Sequence, residues 1–276
     1  MPGGIPVRDA LDSALVALNA AGVDTPRLDA ELLLADVLGV DRAQLYTRSD
    51  LTVAGPAVRA FQDAVRRRAV DREPIAYILG RRGFRHLDLA VDPRVLVPRP
   101  ETELLVELAV AALPQRARVV DVGTGSGAVA LALADERPDL RVTGSDVSRD
   151  ALAVARANAA RLGLGVEFVE ADLLPAGAWD AVVANLPYVA EGERLAPEIT
   201  RHEPAAALYS GADGLDALRA LAAQLRERRI SWVALEHGFD QGEAVRALLR
   251  EAGYADVATH LDLAGHERVT TGALPR

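Results

Sequence analysis

The chain contains no cysteine, so disulfides, thiolate nucleophiles and cysteine-ligated zinc are excluded. It contains no lysine either. All 31 basic residues are arginine, which removes a Schiff-base lysine and the lysine of a Walker-type phosphate loop from consideration. No apolar run is long enough to span a bilayer, so no membrane partner is expected. The opening "MPGGIPVRDALDSALVALNAAG" lacks a basic region followed by an apolar stretch, so a secretory leader is not expected and a cytoplasmic monomer is. Positive charge is in deficit: 31 basic against 40 acidic residues give a net charge of −9. That opposes a protein that coats nucleic acid through a basic footprint, and no direct nucleic-acid partner is required.

What is present is a 276-residue chain, half of it hydrophobic and 26% charged, enough for one large or two small globular domains. Residues 1–75 read as a small helical domain. "VRDALDSALVALNAAG" places apolar residues at helical spacing and stops at Gly22. "TPRLDAELLLADVLGV" restarts with Thr25 as N-cap and Pro26 at the first helical position, and Gly39 is its expected stop. "GPAVRAFQDAVRRRAVDREP" predicts a third helix ended by Pro74. This domain carries no catalytic constellation; it is either a packing module or a docking surface for a macromolecule. Residues 76–97 read as a hairpin or extended linker, with Arg81, Arg82 and Arg85 forming a local basic cluster.

Residues 98–276 alternate strand and helix patterns. The reading predicts an α/β fold: a Rossmann-like, mostly parallel sheet with crossover helices. Its last two strands, "YADVATHLD" and "HERVTTGAL", have no helix between them, so they should pair antiparallel.

The first strand of this region runs into "VVDVGTGSGAVALALA", with Gly123, Gly125 and Gly127 between strand and helix. Glycine lets the chain turn sharply and lets a ligand approach the backbone. Strand ends are where open α/β sheets bind ligands. Asp146 ends the second strand, where an acid suits ribose hydroxyls, and Ser148 is the expected N-cap of the next helix. Gly123, Gly125 and Ala128 also satisfy a dinucleotide fingerprint, so a nicotinamide enzyme competes on this motif. Asp121 favours another ligand. A carboxylate there is unfavourable beside a pyrophosphate but favourable beside the sulfonium and amino groups of S-adenosylmethionine. The expected cofactor site is Asp121, Gly123, Thr124, Gly125, Ser126, Gly127, Asp146, Asp172, Leu173 and Asn185. Within it, Asp172 and Leu173 fall where an adenine ring would lie, although a plain strand terminus explains those two nearly as well. No metal is implied.

The fourth strand ends in Asn185, Leu186, Pro187 and Tyr188. An amide nitrogen is a poor nucleophile because its lone pair is delocalised. Asn185 Oδ1 and the Leu186 carbonyl would accept its two N–H bonds and aim it at a methyl donor. Pro187 holds Leu186 extended, and Tyr188 offers a flat face. Taken alone, these four residues read as a turn leaving a strand.

In "EPIAYILG", "VPRPETE", "DVGTGSGAVALALA", "NLPYV", "EHGFDQGEAVRALL" and "HERVT", over nearly its whole length, the sequence resembles the HemK/PrmC family of class I S-adenosylmethionine-dependent methyltransferases. That resemblance implies N5 methylation of the glutamine in the Gly-Gly-Gln motif of class 1 peptide-chain release factors, the expected protein partner. It also implies that the Asn-Leu-Pro-Tyr loop holds the glutamine, and that Arg99 and Glu101 to Glu103 lie near the pocket with no chemical step assigned. The family's commonest loop is Asn-Pro-Pro-Tyr, and Leu186 departs from it. Asn-Leu-Pro-Tyr is also typical of rRNA adenine dimethyltransferases, but in those the helical domain follows the catalytic one. A ribosomal-protein glutamine is a second alternative substrate. A nicotinamide oxidoreductase would have to use His237 as its nearest proton-transfer group.

Overall fold

The computed structural model describes residues 4–275. Two compact units divide the chain.

The first unit runs to Gly80 and takes in Leu195–His202, beyond the residues 1–75 that the pattern suggested. A two-residue ribbon pairs β1 (Ile5–Pro6) with β2 (Thr52–Val53) around the helices α1 (Val7–Ala20), α2 (Pro26–Leu38) and α3 (Gln44–Thr47). Helices α4 (Pro56–Ala69) and α5 (Ile75–Leu79) follow, and the later helix α9 (Pro197–His202) joins this unit. Gly39 ends α2 in the left-handed conformation, as its position implied. Thr25 does occupy the N-cap of α2, but its hydroxyl donates to Asp29 Oδ1 (2.8 Å) instead of capping the backbone. The third helix stops at Ala69, five residues short of Pro74. Ile75–Leu79 is a helix, not an extended linker. A five-residue apolar run does not discriminate the two by periodicity, and Gly80 closes the turn at φ 69°.

In the second unit the hairpin β3 (Arg81–Phe84)/β4 (Leu87–Ala90) precedes a single 3-10 turn, Pro100–Thr102, and α6 (Glu103–Ala112). Of the expected basic cluster, the Arg85 guanidinium is committed to Glu136 (2.7 Å) and Glu107 (2.6 Å). Alternation follows: β5 (Arg118–Val122), α7 (Ala128–Glu136), β6 (Arg141–Asp146), α8 (Arg149–Leu162), β7 (Glu167–Glu170) and β8 (Ala181–Ala184). Then come α10 (Asp216–Arg228), β9 (Trp232–Glu236), α11 (Gly242–Glu251), β10 (Asp256–Leu261) and β11 (Glu267–Ala273). Ser148 caps α8, its Oγ accepting from Ala151 N (3.2 Å).

These strands form one seven-stranded sheet in the order β10-β11-β9-β8-β5-β6-β7. All pairings are parallel except β11 with β9 and β10 with β11, the latter as the missing crossover helix predicted. Strand period two splits the core. Val119, Ala181, Val183 and Ala234 pack on one face with α6, α7 and α8. Val120, Val122, Val182, Ala184, Val233 and Leu235 pack on the other with α10 and α11. By the same parity Asp121, Asn185 and Glu236 leave the carboxyl ends of three adjacent strands on the first face. The strand order reverses between β5 and β8, so the crevice where open sheets take ligands opens there.

Candidate active site

A cavity of about 330 Å³ occupies that crevice, within the size range of small-ligand sites. It lies wholly in the second unit. Its floor is the turn after β5. Gly123 N and Thr124 N both donate to the Ser145 carbonyl (2.8 and 2.9 Å), tying the turn to the end of β6. Asp146 is held from two sides: Oδ2 accepts from Gly125 N (2.9 Å) and Oδ1 from Ser148 N (2.8 Å). Both oxygens therefore face fixed directions, with a lone pair on each still free for a ligand hydroxyl.

The three glycines have different reasons for being glycine. All take positive φ. A Cβ on Gly123 would sit 2.9 Å from Leu186 Cδ2, so the turn and the strand-end loop touch there. A Cβ on Gly125 would meet nothing within 4 Å; its backbone conformation alone demands glycine. Gly127 turns inward, where a Cβ would crowd Leu131, Ala155 and Phe168 at 3.0–3.3 Å. It is a packing residue at the start of α7 and does not line the cavity.

Asp121 is buried beneath the turn. Thr124 Oγ1 (2.6 Å) and Ala130 N (3.1 Å) both donate to its Oδ2. Burial pushes its carboxyl up to about 7 against the pull of those two bonds, and the Asp146 charge pushes the same way. Leu173 adopts φ 66°, costly for a branched side chain, and its carbonyl accepts from Ser145 Oγ (3.0 Å). Asp172 and Leu173 line the cavity with Asp146 and the turn. A methyl donor carrying an adenosine matches this donor set: a fixed carboxylate for ribose, an apolar wall for a base and a buried acid for a cation.

The opposite wall is Asn185, Leu186 and Pro187. Asn185 Nδ2 donates to Thr102 Oγ1 (2.9 Å), which leaves Oδ1 as the carboxamide atom not engaged by Thr102. The Leu186 side chain is buried in the second core cluster and closes over Gly123. Tyr188 does not line the cavity. Its hydroxyl points to Glu236 Oε1 at 3.5 Å, and its own pKa is raised by burial and by the Glu236 charge. The expectation of a flat Tyr188 face in the pocket wall is thus not met in this conformation.

Residues distant in sequence also build this wall, and the first of them, Glu203, carried no readable signal. Glu203 is buried; its Oε1 accepts from Arg99 Nη2 (2.6 Å) and its Oε2 from Val97 N (3.1 Å), fixing the segment before Thr102. Gln241 Nε2 donates to the Tyr188 carbonyl (3.0 Å) and to the Asp213 carbonyl (3.1 Å), while its Oε1 accepts from Gly238 N (2.8 Å). The "EHGFDQ" stretch therefore anchors the Asn185 loop. The signal for Gln241 was the motif itself, whose role only the contacts supply. His237 is fully buried between the Gly238 carbonyl and Thr270 Oγ1 (2.8 Å each), with its pKa lowered by burial. It is a packing residue with no access to the cavity. Asp180 pairs with Arg118, and Trp179 donates to the Pro175 carbonyl, both at the far end of the strand.

The sheet order, the antiparallel β11 and a cavity at the ends of β5, β6 and β8 define a class I methyltransferase fold. Among solved structures, a methyltransferase from Pyrococcus furiosus is similar with a TM-score of 0.52 at 17% identity, covering 68% of this chain and 88% of that one. A 16S rRNA methyltransferase of T. thermophilus, solved with AdoMet and guanosine, is similar with a TM-score of 0.52 at 16% identity, covering 71% and 50%. Residues 9–80 match the family described as PrmC N-terminal domain, and residues 100–210 match the methyltransferase small domain. A release factor glutamine methyltransferase of Xylella fastidiosa is 46% identical over 96% of this chain and 99% of its own length. Proteins of the same description from Neisseria gonorrhoeae (45%, covering 90% and 93%) and Mycolicibacterium smegmatis (45%, covering 96% of each) are also similar. The chain belongs to the release factor glutamine methyltransferase family, and it is an enzyme. Among the described residues no helix is long and apolar enough to cross a membrane, and no group of side chains is arranged to hold a metal ion.

Proposed function

We propose that the chain transfers one methyl group from S-adenosylmethionine to the side-chain amide nitrogen, N5, of the glutamine in the Gly-Gly-Gln motif of class 1 peptide-chain release factors. The observation that carries the reading is Asn185: its Nδ2 is tied to Thr102 while the residue lines the same cavity as Asp146 and the glycine turn. S-adenosylmethionine, when bound, supplies an electrophilic methyl. Asp146 would hold its ribose hydroxyls, Asp172 and Leu173 would flank its base, and Asp121 would face its cationic end. The Gly123–Gly127 turn gives the ligand its close approach to the backbone.

Asn185 Oδ1 and the Leu186 carbonyl accept the two N–H bonds of the substrate amide. Those bonds point the nitrogen lone pair at the methyl and favour the pyramidal geometry in which that lone pair is available. They also stabilise the positive charge that develops on nitrogen. Holding both reactants in line lowers the barrier by up to roughly 7–11 kcal/mol. Pro187 keeps the Leu186 carbonyl extended. No covalent intermediate is needed, and the methylated nitrogen gives up one N–H proton to solvent as the neutral amide re-forms. The helical unit is the docking surface for the protein substrate, and the enzyme acts as a cytoplasmic monomer.

Incubating the chain with methyl-labelled S-adenosylmethionine and a class 1 release factor, then mapping the label by mass spectrometry, tests this reading. The expected result is one label on the Gly-Gly-Gln glutamine. Label on a ribosomal-protein glutamine or on adenine in RNA or DNA, with none on the factor, would overturn it.

A further inference from the structure

Asn158 has no place in the chemistry above, yet it is a fully buried carboxamide in the interior of α8. Its helix neighbours Ala155 and Ala159 belong to the first core cluster. Asparagine is a poor helix former, and a buried amide is costly unless its donors and acceptor are met. Here they are met by backbone groups. Oδ1 accepts from Ala90 N (2.8 Å), while Nδ2 donates to the Ala90 carbonyl (3.0 Å) and to the Ser126 carbonyl (3.0 Å). That set fixes which way the amide points. The reverse orientation would face its NH2 with an N–H and its oxygen with two carbonyls.

Both partners lead to the cavity. Ala90 is the last residue of β4, and the segment that follows it brings Arg94, Leu96, Pro98 and Arg99 into the cavity wall. Ser126 belongs to the glycine turn and lines the same cavity; Asn158 itself does not. One side chain behind the wall thus joins two stretches of wall that are distant in sequence. The far end of the first stretch is held separately, at Val97 and Arg99, by Glu203. The other ties on the turn, from Gly123, Thr124 and Gly125, run to the end of β6 and do not reach residues 91–99. The Ser126–Gly127 peptide is held at both ends, its carbonyl by Asn158 and its N–H by the Thr124 carbonyl (2.8 Å). An apolar residue would also fill the core at this position. What a carboxamide adds is a bridge, accepting from one stretch and donating to both.

We infer that Asn158 is a positioning residue for the cofactor, setting the spacing between the glycine turn and residues 91–99. The inference rests on the S-adenosylmethionine reading for the identity of the ligand, and on the three hydrogen bonds for the spacing. A ligand held between two walls loses affinity when it must order one of them on binding, and a bridge between the walls removes that cost in advance. Asn158 is bonded neither to Asn185 nor to Thr102. Its loss should therefore appear in cofactor binding, with the chemical step least affected. The bridge has a second consequence: a ligand that steadies the glycine turn also steadies Ala90.

The test uses the full chain with Asn158→Asp, Asn158→Leu and Leu162→Ala. Asn158→Asp keeps an acceptor for Ala90 N but sets an oxygen against the two carbonyls, and Asn158→Leu removes all three bonds. Leu162→Ala weakens the packing of the same helix on the same core without entering these bonds, so it controls for instability. The Kd for S-adenosylhomocysteine by calorimetry should rise on the order of tenfold or more in both Asn158 variants, and by less than about twofold in Leu162→Ala. KM for S-adenosylmethionine should rise in step, with kcat at saturating cofactor falling by less than about threefold. A second readout uses the unmodified chain: hydrogen exchange of the Ala90 amide should slow when S-adenosylhomocysteine binds, and Asn158→Asp should abolish that response. An affinity in Asn158→Asp equal to the parent's, an equal loss in Leu162→Ala, or an Ala90 amide indifferent to the ligand would sink the inference. If Asn158→Leu does not fold, Asn158→Asp and the Ala90 amide decide. Binding of NAD in place of S-adenosylhomocysteine by the unmodified chain would overturn the cofactor reading itself, whereas S-adenosylhomocysteine binding that ignores Asn158 would overturn the bridge alone.

Discussion

The two walls of the cavity are built on different principles. The glycine turn is held by hydrogen bonds between residues close in sequence: Asp121 with Thr124 and Ala130, and Asp146 with Gly125 and Ser148. Most of its donors are backbone N–H groups. The Asn185 wall is held by side chains brought from far along the chain: Thr102, Glu203 and Gln241, the last reaching the Tyr188 carbonyl across 53 residues. A turn that organises itself suits a ligand recognised the same way each time. A wall assembled from distant elements places one acceptor with a defined polarity, and it is open to disruption from many positions.

The largest break in this comparison comes from Asn185→Ala. It removes the acceptor and leaves the glycine turn intact. Turnover should drop on the order of 10²-fold or more, the scale seen when one preorganised hydrogen-bonding group is lost. S-adenosylhomocysteine affinity should weaken far less. Parallel kinetics and calorimetry measure both; an equal loss in the two would mean that the walls are not separable.

That separation also explains what was legible in the sequence. Strand–helix alternation, the Ser148 cap, the antiparallel final pair and the glycine turn all rest on neighbours within a few residues or one crossover, so residue pattern carries them. Glu203 was not legible, because an ordinary glutamate acquires its role only when folding brings a partner to it; Thr102 stood inside "VPRPETE", but its bond to Asn185 could not be read there. The assignment of Leu195–His202 to the first unit is of the same kind. Glu198 accepts from Arg68 Nη1 (2.9 Å) and Arg72 Nε (2.9 Å), residues 130 and 126 positions earlier, and Arg68 itself is buried against Asp29 (2.6 Å). Tyr188 and Gly127 were recognised as motif members, but a motif does not say which way a side chain turns.

Gly214→Ala should have the next largest effect, and it acts on the Asn185 wall without touching a reacting group. Gly214 has φ 77°, and a Cβ there would fall 2.1 Å from the Tyr188 carbonyl oxygen and 2.7 Å from Gln241 Nε2. Neither atom can yield without moving the loop that carries Asn185. We expect a stability loss of about 2–4 kcal/mol, read as a lower denaturation midpoint, and a fall in kcat of at least tenfold. Cofactor affinity should be the property least affected. A fully active Gly214→Ala enzyme would show that the Gln241 anchor is dispensable.

A smaller effect separates the walls by pH. Asp121 has an ordinary carboxyl value of 3.8 and is raised to about 7 by burial when folded. Between those values the folded chain holds a proton that the unfolded chain has released, so stability declines as pH rises through that window and levels off above it. Glu236, raised from 4.5 to about 7, acts in the same direction. Denaturant titrations at pH 5 and pH 8 should show the ligand-free enzyme losing stability by a few kcal/mol from these groups. Asp121→Asn should show a flatter profile together with weakened cofactor binding. Identical slopes in the two proteins would mean that Asp121 is already ionised in the empty turn.

The smallest expected change is at Leu186, where the walls touch. Leu186→Pro restores the Asn-Pro-Pro-Tyr form of the loop, and the backbone carbonyl offered to the substrate is present with either residue. What the exchange removes is side-chain volume against Gly123, where Leu186 Cδ2 is packed so closely that a Cβ on the glycine would lie 2.9 Å away. What it adds is a restraint on Asn185, since the residue before proline is held extended. The first change loosens the contact with the glycine turn by about 1 kcal/mol, the scale of a small buried volume loss; the second stiffens the residue that sets substrate geometry. Turnover should stay within about threefold of the parent, with any loss appearing in cofactor affinity and not in kcat. A collapse of kcat with cofactor affinity intact would show that the Leu186 side chain, and not its carbonyl, holds Asn185 in register.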